Sequence, residues 1–221
     1  MQRFARWHIW LGWLVGVPFL LWTASGLFMA ARPIEEVRGE HLRIKGPEQT
    51  IDPAKIVLPR GFTKPAKSLT ITMEPYGQVT RVELIDGGVA RYDAAGLPLR
   101  DFNEAAARLL VANRIVGGDR VISAKLFPAD RVPLDFRKPM AAWQVTLADG
   151  TRVYVGQQSG RIEAVRTRWW RLYDFMWGLH IMDLQTREDT SHPLLILFAA
   201  LALAGSAMGT VLLFRRRKVR R

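Results

Sequence analysis

The sequence predicts an α+β protein in which two transmembrane helices flank one polar domain built from helices and antiparallel strands. Three observations carry this. An uncharged apolar run covers Ile9 to Ala31, and a second covers Pro193 to Phe214. Between them, residues 32–166 switch between helical and strand periodicity, punctuated by glycine turns.

Neither apolar run contains Asp, Glu, Lys, Arg or His. At about 1.5 Å per residue, each is long enough for a hydrocarbon core of about 30 Å. The first run is longer than the apolar core of a cleaved signal, about 7–15 residues. Trp7, Trp10, Trp13 and Trp22 also suit a resident helix with an aromatic belt. The domain order that follows is a cytoplasmic N-terminus (1–8), a first span (9–31) and an outer domain (32–166). An amphipathic interfacial helix and loop (167–191), a second span (192–214) and a basic tail (215–221) complete it.

Charge sets the orientation. The net charge of +12 combines 32 basic and 20 acidic residues. No acidic residue occurs in 1–31 or 193–221, whereas Arg3, Arg6, Arg215, Arg216, Arg217, Lys218, Arg220 and Arg221 do. The middle keeps 24 basic against 20 acidic residues and is nearly balanced. Positive flanks at both ends place both termini in the cytoplasm and the domain on the far side, in the periplasm of an inner-membrane protein. A basic tail abutting a span is a topology signal and attracts lipid headgroups; nucleic acid is not the expected partner. With no cysteine, the outer domain is held by its own core.

Along the outer domain, Ile34 to Ile44 reads as a short amphipathic continuation beyond the bilayer. Asp52-Pro53 reads as a helix start, with Asp as N-cap and Pro at the first helical position. Leu69, Ile71 and Met73 alternate with Thr70 and Thr72 as a strand, and Asp86-Gly87-Gly88 marks a hairpin turn. Phe102 to Ile115 reads as a helix closed by Gly117-Gly118. Strands follow at Val121–Phe127, Ala142–Leu147 and Arg152–Val155, with 143–147 pairing as a hairpin across Asp149-Gly150. Arg91–Leu99 and Val155–Glu163 echo one another as closing turns, so a helix-plus-sheet unit occurring twice is the simplest reading.

Trp143 to Leu147, Asp149-Gly150, Val153 to Val155 and Ser159-Gly160-Arg161 together resemble the end of a PepSY domain. The stretch Arg6 to Met29 resembles the first helix of the PepSY-associated transmembrane helix family. Leu179 to Phe214, with its His-Ile-Met-Asp element, resembles that family's last helix. The resemblance covers nearly the whole chain and implies a small α+β module on membrane helices. Some larger relatives are haem-containing reductases of ferric siderophores, so it also implies haem b, electron transfer and a link to iron uptake. PepSY domains also resemble inhibitory pro-regions of secreted proteases. That implies a second expectation, a non-enzymatic module binding a peptide or envelope protease. A membrane scaffold is the third.

The four histidines carry the chemistry. His8 precedes the first span, His41 follows it, His180 lies in the amphipathic stretch and His192 opens the second span. Axial ligation of haem needs imidazoles facing one macrocycle, with small residues making room. Gly12 and Gly16 follow His8 at four-residue spacing, and Gly205 and Gly209 form a similar stripe on the second helix. These stripes equally suit plain helix packing. His8, His180 and His192 are the candidate cofactor ligands, with His8 and His180 as candidate haem-iron ligands; His41 is the weakest. His192 before Pro193 equally serves a helix start. A single span separates His8 from the others, so the expectation is two sites or ligand pairs made in a homodimer or with a membrane redox partner.

Trp169, Leu172, Phe175, Met176, Leu179 and His180 recur at helical spacing, which predicts an amphipathic helix on the outer leaflet. Asp183, three residues after His180, is a candidate to orient its imidazole, or else an exposed helix partner. No Ser–His–Asp set, phosphate loop, HExxH or cysteine cluster occurs, so no catalytic residue is assigned.

Overall fold

The computed structural model describes residues 2–46, 49–59, 64–74 and 77–219, with the side chains of 216–219 excepted. Of the basic tail, Arg220 and Arg221 therefore lie outside the described residues. The chain divides into two compact units, Met1–Val37 with Trp169–Arg221, and Arg38–Arg168.

The first unit is helical. Helix α1 (Gln2–Ala30) and helix α5 (Pro193–Val219) are both long and apolar enough to cross a membrane. They pack against each other. Between them in sequence, this unit also holds the single turn α2 (Ile34–Val37) and helix α4 (Arg168–His180). Pro18 sits inside α1. Proline there removes one helical N–H donor, which a membrane helix tolerates where neighbours supply packing.

The second unit holds two antiparallel sheets. Strands β1 (Ala66–Glu74), β2 (Gly77–Leu84) and β3 (Val89–Tyr92) form the first, in sequential order. The Asp86-Gly87-Gly88 turn joins β2 to β3, with Gly87 at φ 84° and the Gly88 N–H donating to Asp86 Oδ1. Helix α3 (Glu104–Arg114) follows, capped by Asn103, whose Oδ1 accepts from the Ala106 N–H. Strands β4 (Val121–Phe127), β5 (Ala142–Leu147), β6 (Arg152–Gly156) and β7 (Ile162–Arg166) complete the second sheet, again in sequential order. The expected hairpin is present, with Val145 opposite Val153.

Helix α3 covers one face of the second sheet. Ala107, Val111 and Ile115 bury against Val145, Leu147, Val153, Val155 and Val165. On the opposite face the loop before β5 lays Phe136 over Tyr154, the rings stacked at 4.6 Å. Asp135 anchors that loop. It accepts from the Tyr154 hydroxyl at 2.6 Å and from Arg152 at 3.1 Å, while its carbonyl accepts from Arg166. The two sheets are joined by arginine. Arg81 and Arg91 donate to the carbonyls of Ser159 and Gln158, in the turn between β6 and β7.

Some details depart from the sequence reading. Asp52 does cap the chain, accepting from the Ala54 N–H, but what it caps is a three-residue 3-10 turn over Pro53–Lys55. Strand β7 was not anticipated. Its sequence, IEAVR, is too short to show a period, and it is a strand because β6 offers it an edge.

Candidate functional site

The residues with the greatest chemical potential lie along the seam between α1 and α5. On α1 this seam runs through His8, Leu11, Val15, Pro18, Trp22 and Ser25, a strict alternation of three and four residues. That is the heptad spacing of two helices packed at a shallow angle. Leu11 meets Gly205, and Val15, Pro18 and Trp22 face Leu195, Phe198, Ala199 and Ala202.

His8 occupies the N-terminal end of the seam. A Cβ added to Gly209 would stand 3.0 Å from its Cε1 and 3.4 Å from its Nε2. The missing side chain of Gly209 is thus the seat of the imidazole. Nδ1 of His8 is buried without a hydrogen-bond partner. Gly12 and Gly16 do not meet α5: an added Cβ at either has nothing within 4 Å among the described residues. Four residues advance a helix by more than one turn, so the four-spaced stripe drifts off a seam that follows 3.5 residues per turn.

His180 occupies the other end. It closes α4 and places Nδ1 3.0 Å from Ser25 Oγ and 3.2 Å from the Trp22 carbonyl oxygen. Ser25 Oγ itself donates to that carbonyl at 3.0 Å. Gly26 makes room for the ring, since a Cβ there would stand 3.3 Å from Cε1. The indoles of Trp22 and Trp177 flank the imidazole, with ring centroids 5.4 and 6.4 Å away. Burial pushes the imidazole below its ordinary pKa, and the bond to the Trp22 carbonyl opposes that shift.

The chain then turns sharply. Met182 adopts φ 57° and lines the crevice between α1 and α5, while the Asp183 N–H returns to the Gly178 carbonyl. Such a left-handed residue closing a helix is usually glycine. Among the described residues Asp183 makes no hydrogen bond to His180, and it is buried rather than exposed. Its carboxylate accepts from the N–H groups of Gln185, Thr186, Glu188 and Asp189. The Thr186 hydroxyl first, and then these backbone donors, hold it well below the ordinary carboxylate range. Arg187 pairs with Asp174 at 2.7 Å, and its carbonyl accepts from Trp177 Nε1. Asp183 therefore shapes the loop that follows His180.

His192 is the residue before α5, and its carbonyl accepts from the N–H groups of Leu195 and Ile196. It serves the helix start, and its Nδ1 is buried without a partner. His41 lies in a 3-10 turn of the other unit and is exposed. His8 and His180 are not brought together. They contact α1 about 17 residues apart, about 25 Å at 1.5 Å per residue.

Towards a haem, this arrangement would supply a ligand at one end only, and within this chain no space for the ring. The crevice lined by Val15, Pro18, Phe19, Trp22, Met182, Leu195, Phe198, Ala199 and Ala202 has a volume of about 10 Å³, room for about one water. A tetrapyrrole does not enter it. His180 would be the residue to hold a metal there, because an imidazole whose Nδ1 faces a backbone carbonyl keeps Nε2 free to bind one. His8, seated over Gly209, does not present itself in the same way. Ser25, Gly26 and Met182 were missed by the sequence reading; the three-four alternation from His8 to Ser25 is a signal that marks Ser25.

Searches against protein-family models, curated proteins and solved structures find no match for this chain.

Proposed function

We propose that this chain is an inner-membrane, haem-linked electron-transfer component, with both termini cytoplasmic and a PepSY-type domain in the periplasm. The observation that carries the reading is His180. It is a histidine held at Nδ1 by the Trp22 carbonyl and Ser25, with no hydrogen bond to Nε2 among the described residues. A bound haem b would supply one-electron exchange. His180 would hold it on the periplasmic side, with the second ligand and the space for the ring coming from another copy or a membrane partner. The two seam histidines stand at opposite ends of the helix pair, as transfer across a bilayer requires. The resemblance to PepSY-associated membrane proteins, some of them reductases, supports iron uptake as the setting.

Visible spectra of the full chain purified in detergent from haem-replete cells, before and after dithionite, test this. A Soret band that sharpens on reduction and is lost in His180→Ala is expected. A colourless preparation sinks the proposal.

A second reading rests on β4. It is an edge strand whose one partner among the described strands is β5, and Ile122 and Leu126 stand exposed on it. A peptide added along that edge would make this a binding module. A colourless protein in which Ile122→Lys abolishes capture of extended peptides would favour it.

A further inference from the structure

We infer that Ser25 is a positioning residue: with the Trp22 carbonyl, it fixes His180 as the Nδ1–H tautomer and so presents Nε2 as a lone pair. The inference deepens the haem-linked reading and rests on it for the identity of the ligand. The argument begins with what each oxygen can do. The Trp22 carbonyl oxygen has no proton and can only accept, and it stands 3.2 Å from Nδ1. Ser25 Oγ has a single proton, which it donates to that same carbonyl at 3.0 Å. Towards Nδ1, 3.0 Å away, Ser25 is therefore also an acceptor.

Two acceptors converge on one ring nitrogen, so the proton of the neutral imidazole belongs there. With Nδ1–H donating, Nε2 keeps its lone pair. A backbone carbonyl or carboxylate behind the ring is the arrangement that orients metal-ligating histidines and raises their basicity. Here it is made by an α1 serine and the carbonyl three residues before it, which a helix necessarily places on one face. The ring has little freedom to leave. Gly26 lies against it so closely that an added Cβ would stand 3.3 Å from Cε1, and Trp22 and Trp177 stand on its flanks.

The test uses the full chain in detergent micelles at pH 8, where an imidazole is neutral. Nitrogen-15 shifts of His180, recorded without added metal, are expected to show a protonated Nδ1 and an unprotonated Nε2. Ser25→Ala should populate the other tautomer and weaken haemin binding about 10-fold, and Ser25→Thr, which keeps the hydroxyl, should restore both. A wild-type His180 carrying its proton on Nε2 overturns the inference. So does a Ser25→Ala chain with wild-type tautomer and wild-type haemin affinity. Failure of the electron-transfer reading looks different: a locked Nδ1–H tautomer in a chain that takes up no haemin. That outcome upholds the positioning role and removes the cofactor.

Discussion

Gly209 holds His8 in place by having no side chain. The imidazole packs beside it, and an added Cβ would stand 3.0 Å from Cε1, tighter than an ordinary contact. The contact lets α1 and α5 approach closely at the end of the seam where the larger ring sits, and Gly205 does the same for Leu11 one turn away. In lipid such close approach is a principal source of helix association, because apolar side chains gain nothing by leaving the hydrocarbon.

Gly209→Leu should therefore destabilise the helix pair by about 1–3 kcal/mol, the range for overpacking a filled site. His8→Ala in the same chain should recover part of the loss. Gly12→Leu and Gly16→Leu, with nothing within 4 Å, should change stability by less than about 0.5 kcal/mol. Denaturation of the detergent-solubilised chain measures all four. A Gly12→Leu chain as damaged as Gly209→Leu would contradict the seam described here.

In the two-sheet unit, Arg81→Ala should cost about 3 kcal/mol. The guanidinium is buried, donates to the Ser159 carbonyl at 2.8 Å and to Thr72 Oγ1 at 2.8 Å, and pairs with Glu74. Removing it leaves those acceptors without their donor where the two sheets meet. Urea unfolding followed by tryptophan fluorescence reads the loss, and a midpoint equal to wild type would count against the joint.

Tyr154 gives the domain an alkaline limit. Burial, reinforced by the bond to Asp135, raises its phenol above the ordinary value. The folded state therefore prefers the neutral phenol. That contribution is complete below pH about 10, where an unfolded tyrosine is also protonated, and is lost as pH rises further. Tyr154→Phe should cost about 1–2 kcal/mol at neutral pH and flatten the decline in stability above pH 10. Melting temperatures at pH 8 and pH 11 distinguish the two chains. Equal alkaline slopes would refute the assignment.

Orientation is testable without purification. A reporter active only outside the cytoplasm should work when inserted at Gly87, the exposed turn between β2 and β3, and fail when fused after Arg221. The reverse pattern would invert the topology and move the domain to the cytoplasm.

The sequence by itself determined the elements whose signals are local. Ile9–Ala31 and Pro193–Phe214 are legible because length and the absence of charge are properties of a contiguous run. Helix α3 is legible from the run Phe102 to Ile115 closed by Gly117-Gly118, and the β5–β6 hairpin from Asp149-Gly150, because helix ends and turns need particular residues at particular positions. What the tertiary structure decided depends on which surfaces meet. The pairing of His8 with Gly209 joins residues about 200 positions apart, and nothing local to either names the other. Strand β7 exists because β6 has an edge to pair with. Asp183 sits three residues from His180 in the chain, yet Met182 at φ 57° turns the backbone between them and sends the carboxylate to the loop instead. The partner that His180 does find, Ser25, was unremarked in the sequence, because a serine in an apolar helix acquires meaning only when another helix brings an imidazole to it.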